Sequence, residues 1–356
     1  MSKVHNFSAG PCILPPEVLK EAAEAVVNFD NLNLSLLEIS HRSKNFVAVM
    51  DEAVALVREL MDVPDNYTPI FIQGGASLGF IISALNMRGK HGKAAYTNTG
   101  TWANNAIKEA KQFLNVVEIA SSKDANFNYI PKGYTIPSDV DYFHFTSNNT
   151  IFGTQVKDMP KTSVPLVCDM SSDILSRKVN VADFDLIYAG AQKNMGPAGA
   201  TLYIVKNDVF ANSQKPIPSY LDLSIHADKE SMFNTPPVYS VYVCMLTLRW
   251  LKKNGGVSWI EGVNQAKADC IYNEIDRNPL FEGTAAKEDR SNMNACFKLK
   301  DEKYQEQFDA IWKAAGVSGI KGHRSVGGYR ASMYNALPLE SVQVLANCMK
   351  ELEKNV

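Results

Sequence analysis

Tyr188-Ala189-Gly190-Ala191-Gln192-Lys193-Asn194-Met195-Gly196-Pro197-Ala198-Gly199 sets a lysine at the end of an apolar run. Its apolar lead, Leu186 to Ala191, has the length of a short buried strand. Gly196-Pro197 breaks the chain soon after Gln192-Lys193. A lysine at the end of a buried strand either snorkels into solvent or stays partly desolvated. Desolvation lowers its pKa and makes the amine a usable nucleophile. Upstream, Val164-Pro165-Leu166-Val167-Cys168-Asp169 is a second short apolar run, and it ends in a carboxylate. Asp169 reads either as an ordinary turn residue or as a functional group. In the second case both side chains leave the carboxyl edge of the sheet, where open α/β sheets bind ligands.

The surrounding composition limits the alternatives. A chain of 356 residues is long enough for one large domain and a smaller one. A formal net charge of −2 argues against a nucleic-acid partner. The six cysteines (Cys12, Cys168, Cys244, Cys270, Cys296, Cys348) show neither a C-x-x-C pair nor metal-ligand spacing. They read as free thiols in a reducing compartment, with no metal site. Met1 to Pro11 lacks an apolar signal core, and no run reaches the roughly 18 residues of a membrane span. The expectation is a soluble, cytoplasmic protein.

Further strands are expected at Pro69 to Gln73, Ala94 to Tyr96, Val116 to Ala120, Asp141 to Thr146 and Ala200 to Lys206. With the two above they make about seven. They alternate with helical segments, the pattern of an α/β fold with a mainly parallel sheet. Gly74-Gly75-Ala76-Ser77 joins a strand to a helix, and small residues there let backbone N–H groups close on an anion. His41-Arg42 sits just before a helix capped by Ser43, where a cationic fork and a helix N-terminus both favour an anion. Gly322-His323-Arg324-Ser325-Val326-Gly327-Gly328-Tyr329-Arg330 sets two arginines and a histidine among glycines, which reads as an anion site or as a solvated hairpin. Boundaries are expected at 1–15 for an irregular arm, 16–255 for the large domain and 256–356 for a small α+β domain. A strand pair is expected near 318–334.

A strand-end aspartate and a strand-end lysine are what pyridoxal 5'-phosphate needs. The lysine holds the aldehyde, and the carboxylate keeps the pyridine nitrogen protonated. Cys168-Asp169-Met170-Ser171-Ser172-Asp173-Ile174-Leu175-Ser176-Arg177, together with Ala189-Gly190-Ala191-Gln192-Lys193-Asn194, resembles the phosphoserine aminotransferase family. That family is a class V branch of the fold-type I pyridoxal phosphate transferases. Asn6-Phe7-Ser8-Ala9-Gly10-Pro11 and Glu38-Ile39-Ser40-His41-Arg42-Ser43 match the family as well. The resemblance implies an N-terminal arm packed near the active site, with Lys193 and Asp169 as the catalytic pair. It further implies cofactor contacts from Ala76, Ser77, Trp102, Thr150 and Gln192. Asn234 and Thr235 would reach the cofactor of a neighbouring subunit, which implies a homodimer. His41, Arg42, His323, Arg324 and Arg330 would bind substrate. Some family members carry an arginine where Ser77 stands. The implied reaction moves an amino group from L-glutamate to 3-phosphohydroxypyruvate, giving O-phospho-L-serine and 2-oxoglutarate. The same recognised ends would admit 4-phosphohydroxythreonine, a vitamin B6 precursor. A cysteine desulfurase would need a mobile-loop cysteine that the sequence does not offer. An alanine–glyoxylate enzyme has no use for so many cations.

Overall fold

A computed structural model describes residues 4–356. In chain order, β1 (His5–Asn6) leads through the arm to α1 (Pro16–Val27) and α2 (Lys44–Leu60). Pro16 opens α1 in its first turn, where a missing N–H leaves nothing unpaired. Ser43 caps α2 by accepting from the Phe46 N–H. Phe46, Val49, Met50, Ala53 and Val57 recur at helical spacing and are the buried face of α2.

The central elements follow as β2 (Tyr67–Gly74), α3 (Ala76–Met87), β3 (Lys93–Asn98), α4 (Thr101–Ala110), β4 (Asn115–Ser121) and β5 (Tyr142–Thr146). A two-rung antiparallel pair, β6 (Asn148–Asn149) and β7 (Thr154–Gln155), precedes β8 (Leu166–Asp169), β9 (Leu186–Gly190) and β10 (Gly199–Lys206). Seven strands form one sheet in the order β2-β10-β9-β8-β5-β3-β4. Only β10 runs against its neighbours. The sheet is therefore the mainly parallel one expected, an α/β fold covered on both faces. That coverage is why β8 and β9 read as uninterrupted apolar runs. Phe71, Leu202 and Ala189 face the side packed by α1 and α2, whereas Ile70, Tyr96, Tyr188 and Tyr203 face α3 and α4.

After α5 (Asp208–Asn212) and α6 (Leu223–Asp228), α7 (Val238–Lys253) runs into α8 (Gly256–Arg277) across Gly255. The remaining elements are β11 (Phe281–Gly283), β12 (Asn294–Leu299), α9 (Gln305–Ala314), β13 (Val317–Ser318), β14 (Tyr329–Ser332) and α10 (Leu339–Lys354). They enclose their own apolar core around Phe281, Phe297, Phe308 and Leu345, and Phe7 from the arm plugs into it.

The stretches expected to pair near 318–334 meet through an antiparallel bridge, Lys321 with Tyr329, where the Arg330 N–H donates to the Ile320 carbonyl at 2.7 Å and the Gly322 N–H to the Gly328 carbonyl at 2.8 Å. β13 itself pairs in parallel with β1 of the arm, while β14 pairs with β12. Gly319 follows β13 at φ +76°, so close to Ser8 that an added Cβ would lie 2.8 Å from the Ser8 backbone nitrogen. The arm is held by this backbone pairing, which forms a two-stranded sheet of its own. Among the described residues no helix is long and apolar enough to cross a membrane. All six cysteines are unpaired.

Candidate active site

The carboxyl ends of β5, β8 and β9 lie level. Asp169 is in register with Thr146 on one side and Tyr188 on the other. Lys193 follows β9 by three residues, so its side chain enters the space above these strand ends. Of the residues singled out in the sequence, Ala76, Ser77, Trp102, Thr150, Asp169, Gln192, Lys193, His323 and Arg330 line one cavity of ≈ 340 Å³. That volume suits a small cofactor with part of a substrate.

Lys193 Nζ donates to Thr150 Oγ1 at 3.2 Å and lies 5.9 Å above the centre of the Trp102 ring. Burial pushes the Lys193 amine below the usual lysine range. The Asp169 carboxylate opposes that shift, and the Arg330 guanidinium adds to it. Burial raises the Asp169 carboxyl, while hydrogen bonds from Ser171 and the charge of Lys193 pull it back down. The Ser171 N–H reaches Asp169 Oδ1 at 2.9 Å. A cation and a carboxylate thus share one dry enclosure.

The first turn of α3 presents Ala76 and Ser77 to the same cavity, with the helix beginning directly after Gly75. Gly75 at its N-cap supplies no side-chain acceptor. The helix N-terminus therefore faces the cavity as an anion site. Trp102 Nε1 and Thr146 Oγ1 are buried with no hydrogen-bond partner among the described residues. Orphaned polar atoms around a cavity are expected where a bound molecule completes them. The donor set fits pyridoxal phosphate on these grounds: a carboxylate for the ring nitrogen, an amine for the aldehyde, and a helix end for the phosphate.

Ala9 and Gly10 of the arm also line the cavity. Cys12 Sγ donates to the Lys193 carbonyl at 2.8 Å, and the Tyr334 hydroxyl donates to the Ala9 carbonyl at 2.8 Å. Thr146, Asn148, Ser171 and Ser172 are lining residues that sequence reasoning does not single out. Ser171 and Ser172 sit inside the motif that carries Asp169, and Thr146 ends a recognised strand, so position alone was an available signal.

Other expected site residues lie elsewhere in their own chain. His41 is half-buried and Arg42 exposed in the turn before α2, and neither lines the cavity. Asn234 and Thr235 are exposed, and the Thr235 carbonyl accepts from Gln73 Nε2 at 2.6 Å, beside the β2 end that leads to Gly75. Arg324 is exposed next to His323, whose Nδ1 pairs with Ser325 Oγ at 2.6 Å. Among the described residues, the basic groups that line the cavity of a single chain are therefore His323, Arg330 and Lys193.

The family model described as aminotransferase class-V matches residues 4–345. The phosphoserine aminotransferase of Flavobacterium psychrophilum is 61% identical over 355 residues, covering 99% of this chain and 100% of that one. That of Parabacteroides distasonis is 55% identical, with 99% of both chains covered. Among solved structures, the phosphoserine aminotransferase of Bacillus circulans subsp. alkalophilus superposes with a TM-score of 0.96 at 40% identity, over 99% of both chains. The PLP-bound phosphoserine aminotransferase of Trichomonas vaginalis superposes with a TM-score of 0.93 at 35% identity, over 98% of this chain and 100% of that one.

Proposed function

The chain belongs to the class-V aminotransferase family, among the phosphoserine aminotransferases, and on that premise we propose how its cavity works. It moves the amino group of L-glutamate to 3-phosphohydroxypyruvate, giving O-phospho-L-serine and 2-oxoglutarate. The observation that carries this reading is the convergence of Lys193, Asp169, Thr150 and Arg330 on one cavity. Bound pyridoxal phosphate supplies the electron sink for breaking the bond to the substrate α-hydrogen. Lys193 Nζ would hold the aldehyde of the cofactor and, when free, would be the general base and acid for the substrate α-proton. Burial lowers its pKa, which favours the neutral amine that such a base requires. Asp169 would keep the ring nitrogen protonated, Trp102 would pack against the ring, and Thr150 would serve the ring hydroxyl. Ala76, Ser77 and Gln192 would hold the phosphate end. Arg330 forks onto the α-carboxylate.

The protein acts as a homodimer in the cytoplasm, with the boundaries 1–15, 16–255 and 256–356. A dianionic phosphate needs more positive charge than His323 and Arg330 provide, and His41 and Arg42 lie outside the cavity of their own chain. Asn234 and Thr235 are placed in the same way. A second copy related by a two-fold axis would present these groups to the facing site. The shared ends of 4-phosphohydroxythreonine make it a second substrate. Borohydride reduction of the loaded protein, followed by peptide mapping, tests the assignment of the lysine. Label on Lys193 supports it, and label on another lysine would overturn it. An active monomer in sedimentation at assay concentration would contradict the dimer.

A further inference from the structure

Beyond the cavity, three consecutive buried carbonyls, those of Ile174, Leu175 and Ser176, accept no backbone N–H among the described residues. They belong to the irregular segment that leaves β8 after Asp169, and Leu175 there holds φ +59°. Buried carbonyls require partners. Each is met by a different asparagine amide: Asn194 Nδ2 reaches the Ile174 carbonyl at 2.9 Å, Asn335 Nδ2 the Leu175 carbonyl at 2.9 Å, and Asn264 Nδ2 the Ser176 carbonyl at 3.0 Å. The asparagines also bond to one another. The Asn335 N–H donates to Asn194 Oδ1 at 3.0 Å, and Asn264 Nδ2 donates to Asn335 Oδ1 at 2.9 Å.

The three come from three parts of the chain. Asn194 follows Lys193 directly. Asn335 lies in the turn three residues beyond β14, the strand that carries Arg330. Asn264 lies on α8, and Lys267 stands three residues on, on the same face. Lys267 Nζ donates to the carbonyls of Met333, Tyr334 and Leu337 at 2.9, 2.8 and 3.1 Å. The segment between Arg330 and α10 is thereby tied to α8, and both are tied to the backbone beyond Asp169.

We propose that Asn194, Asn264 and Asn335 are positioning residues whose amides, closed on the carbonyls of 174–176, hold Arg330 in register with Lys193. This rests on the reading of Arg330 as the α-carboxylate clamp. With the carboxylate fixed by one group and the α-proton taken by another, their spacing decides whether the proton lies in reach. A misplacement of about 1 Å costs roughly 100-fold.

The test uses Asn264→Ala, which touches no cavity residue, and Asn335→Ala. Both are measured by glutamate steady-state kinetics and by hydrogen exchange on the loaded and the cofactor-free protein. The expected result for either is a kcat with glutamate lowered about tenfold, the equivalent of about 1.4 kcal/mol, with KM changed by less than about threefold. Exchange should rise together in 190–195 and 329–335. A lowered melting temperature with unchanged kcat, or an exchange increase confined to α8, would make the asparagines merely structural and overturn the proposal. If Asn335→Ala does not fold, Asn264→Ala alone decides. Absence of glutamate turnover in the unmutated protein would count against the function, and the exchange results would then decide the clamp by themselves.

Discussion

Gly10→Ala tests how tightly the arm is held against the lysine. Gly10 has φ +132°, and a Cβ there would lie 3.3 Å from Lys193 Cγ and 3.6 Å from Gln192 Cγ. Holding a non-glycine residue at such a φ costs about 1–3 kcal/mol. The reduced freedom of the unfolded chain offsets about 0.4–1 kcal/mol of it. The net loss of about 1–2 kcal/mol lowers the melting temperature by about 1–3 °C, because the entropy of unfolding grows with chain length. The contact itself moves the lysine stem by a few tenths of an ångström. Scaled from roughly 100-fold per 1 Å, that is about a 3- to 10-fold loss in kcat/KM. Gly262 is the control: it is exposed in the middle of α8, and an added Cβ meets nothing within 4 Å. Gly262→Ala should gain about 0.5–1 kcal/mol and leave activity unchanged. The assays are 2-oxoglutarate release and thermal unfolding on all three proteins. A Gly10→Ala variant with unmutated activity and melting temperature would refute the packing of the arm on Lys193.

Four further outcomes are expected. Lys193→Ala should abolish both turnover and covalent capture of the cofactor by borohydride; capture that persists would name another lysine. Asp169→Ala should still bind cofactor in part and lose most catalysis, because an unprotonated ring is a poor electron sink, and an undiminished rate would remove Asp169 from the mechanism. Hydroxypyruvate should be used at least about 100-fold less efficiently than its phosphorylated form, the worth of two charge-assisted contacts of about 1.5–3 kcal/mol each. Arg42→Ala should narrow that gap by weakening the phosphorylated substrate more, and equal kcat/KM for both keto acids on the unmutated protein would sink the phosphate pocket.

Much of the sheet was legible because strands buried on both faces have no polar residues to interrupt them, as in Leu166–Asp169 and Leu186–Gly190. The same property made Asp169 and Lys193 visible, since a charge at the end of an apolar run stands out against it. The partner of β1 was hidden. Two-residue strands such as His5–Asn6 and Val317–Ser318 leave no period to read, and only the fold brings them together. Asn264 and Asn335 were invisible for another reason. A lone asparagine on a helix or in a turn reads as a solvated residue, and its burial emerges only once 174–176 is seen to lack backbone donors. His41 and Arg42 were recognised as cations, but no local pattern says which cavity they serve.

Amino transfer runs in two separable halves, and they are resolved by mixing loaded protein with glutamate alone, removing small molecules and then adding 3-phosphohydroxypyruvate. One 2-oxoglutarate per Lys193 is expected in the first step and one phosphoserine per Lys193 in the second, with neither product from Lys193→Ala. Absence of 2-oxoglutarate until the keto acid is added, or a second half that runs equally well on hydroxypyruvate, would contradict it.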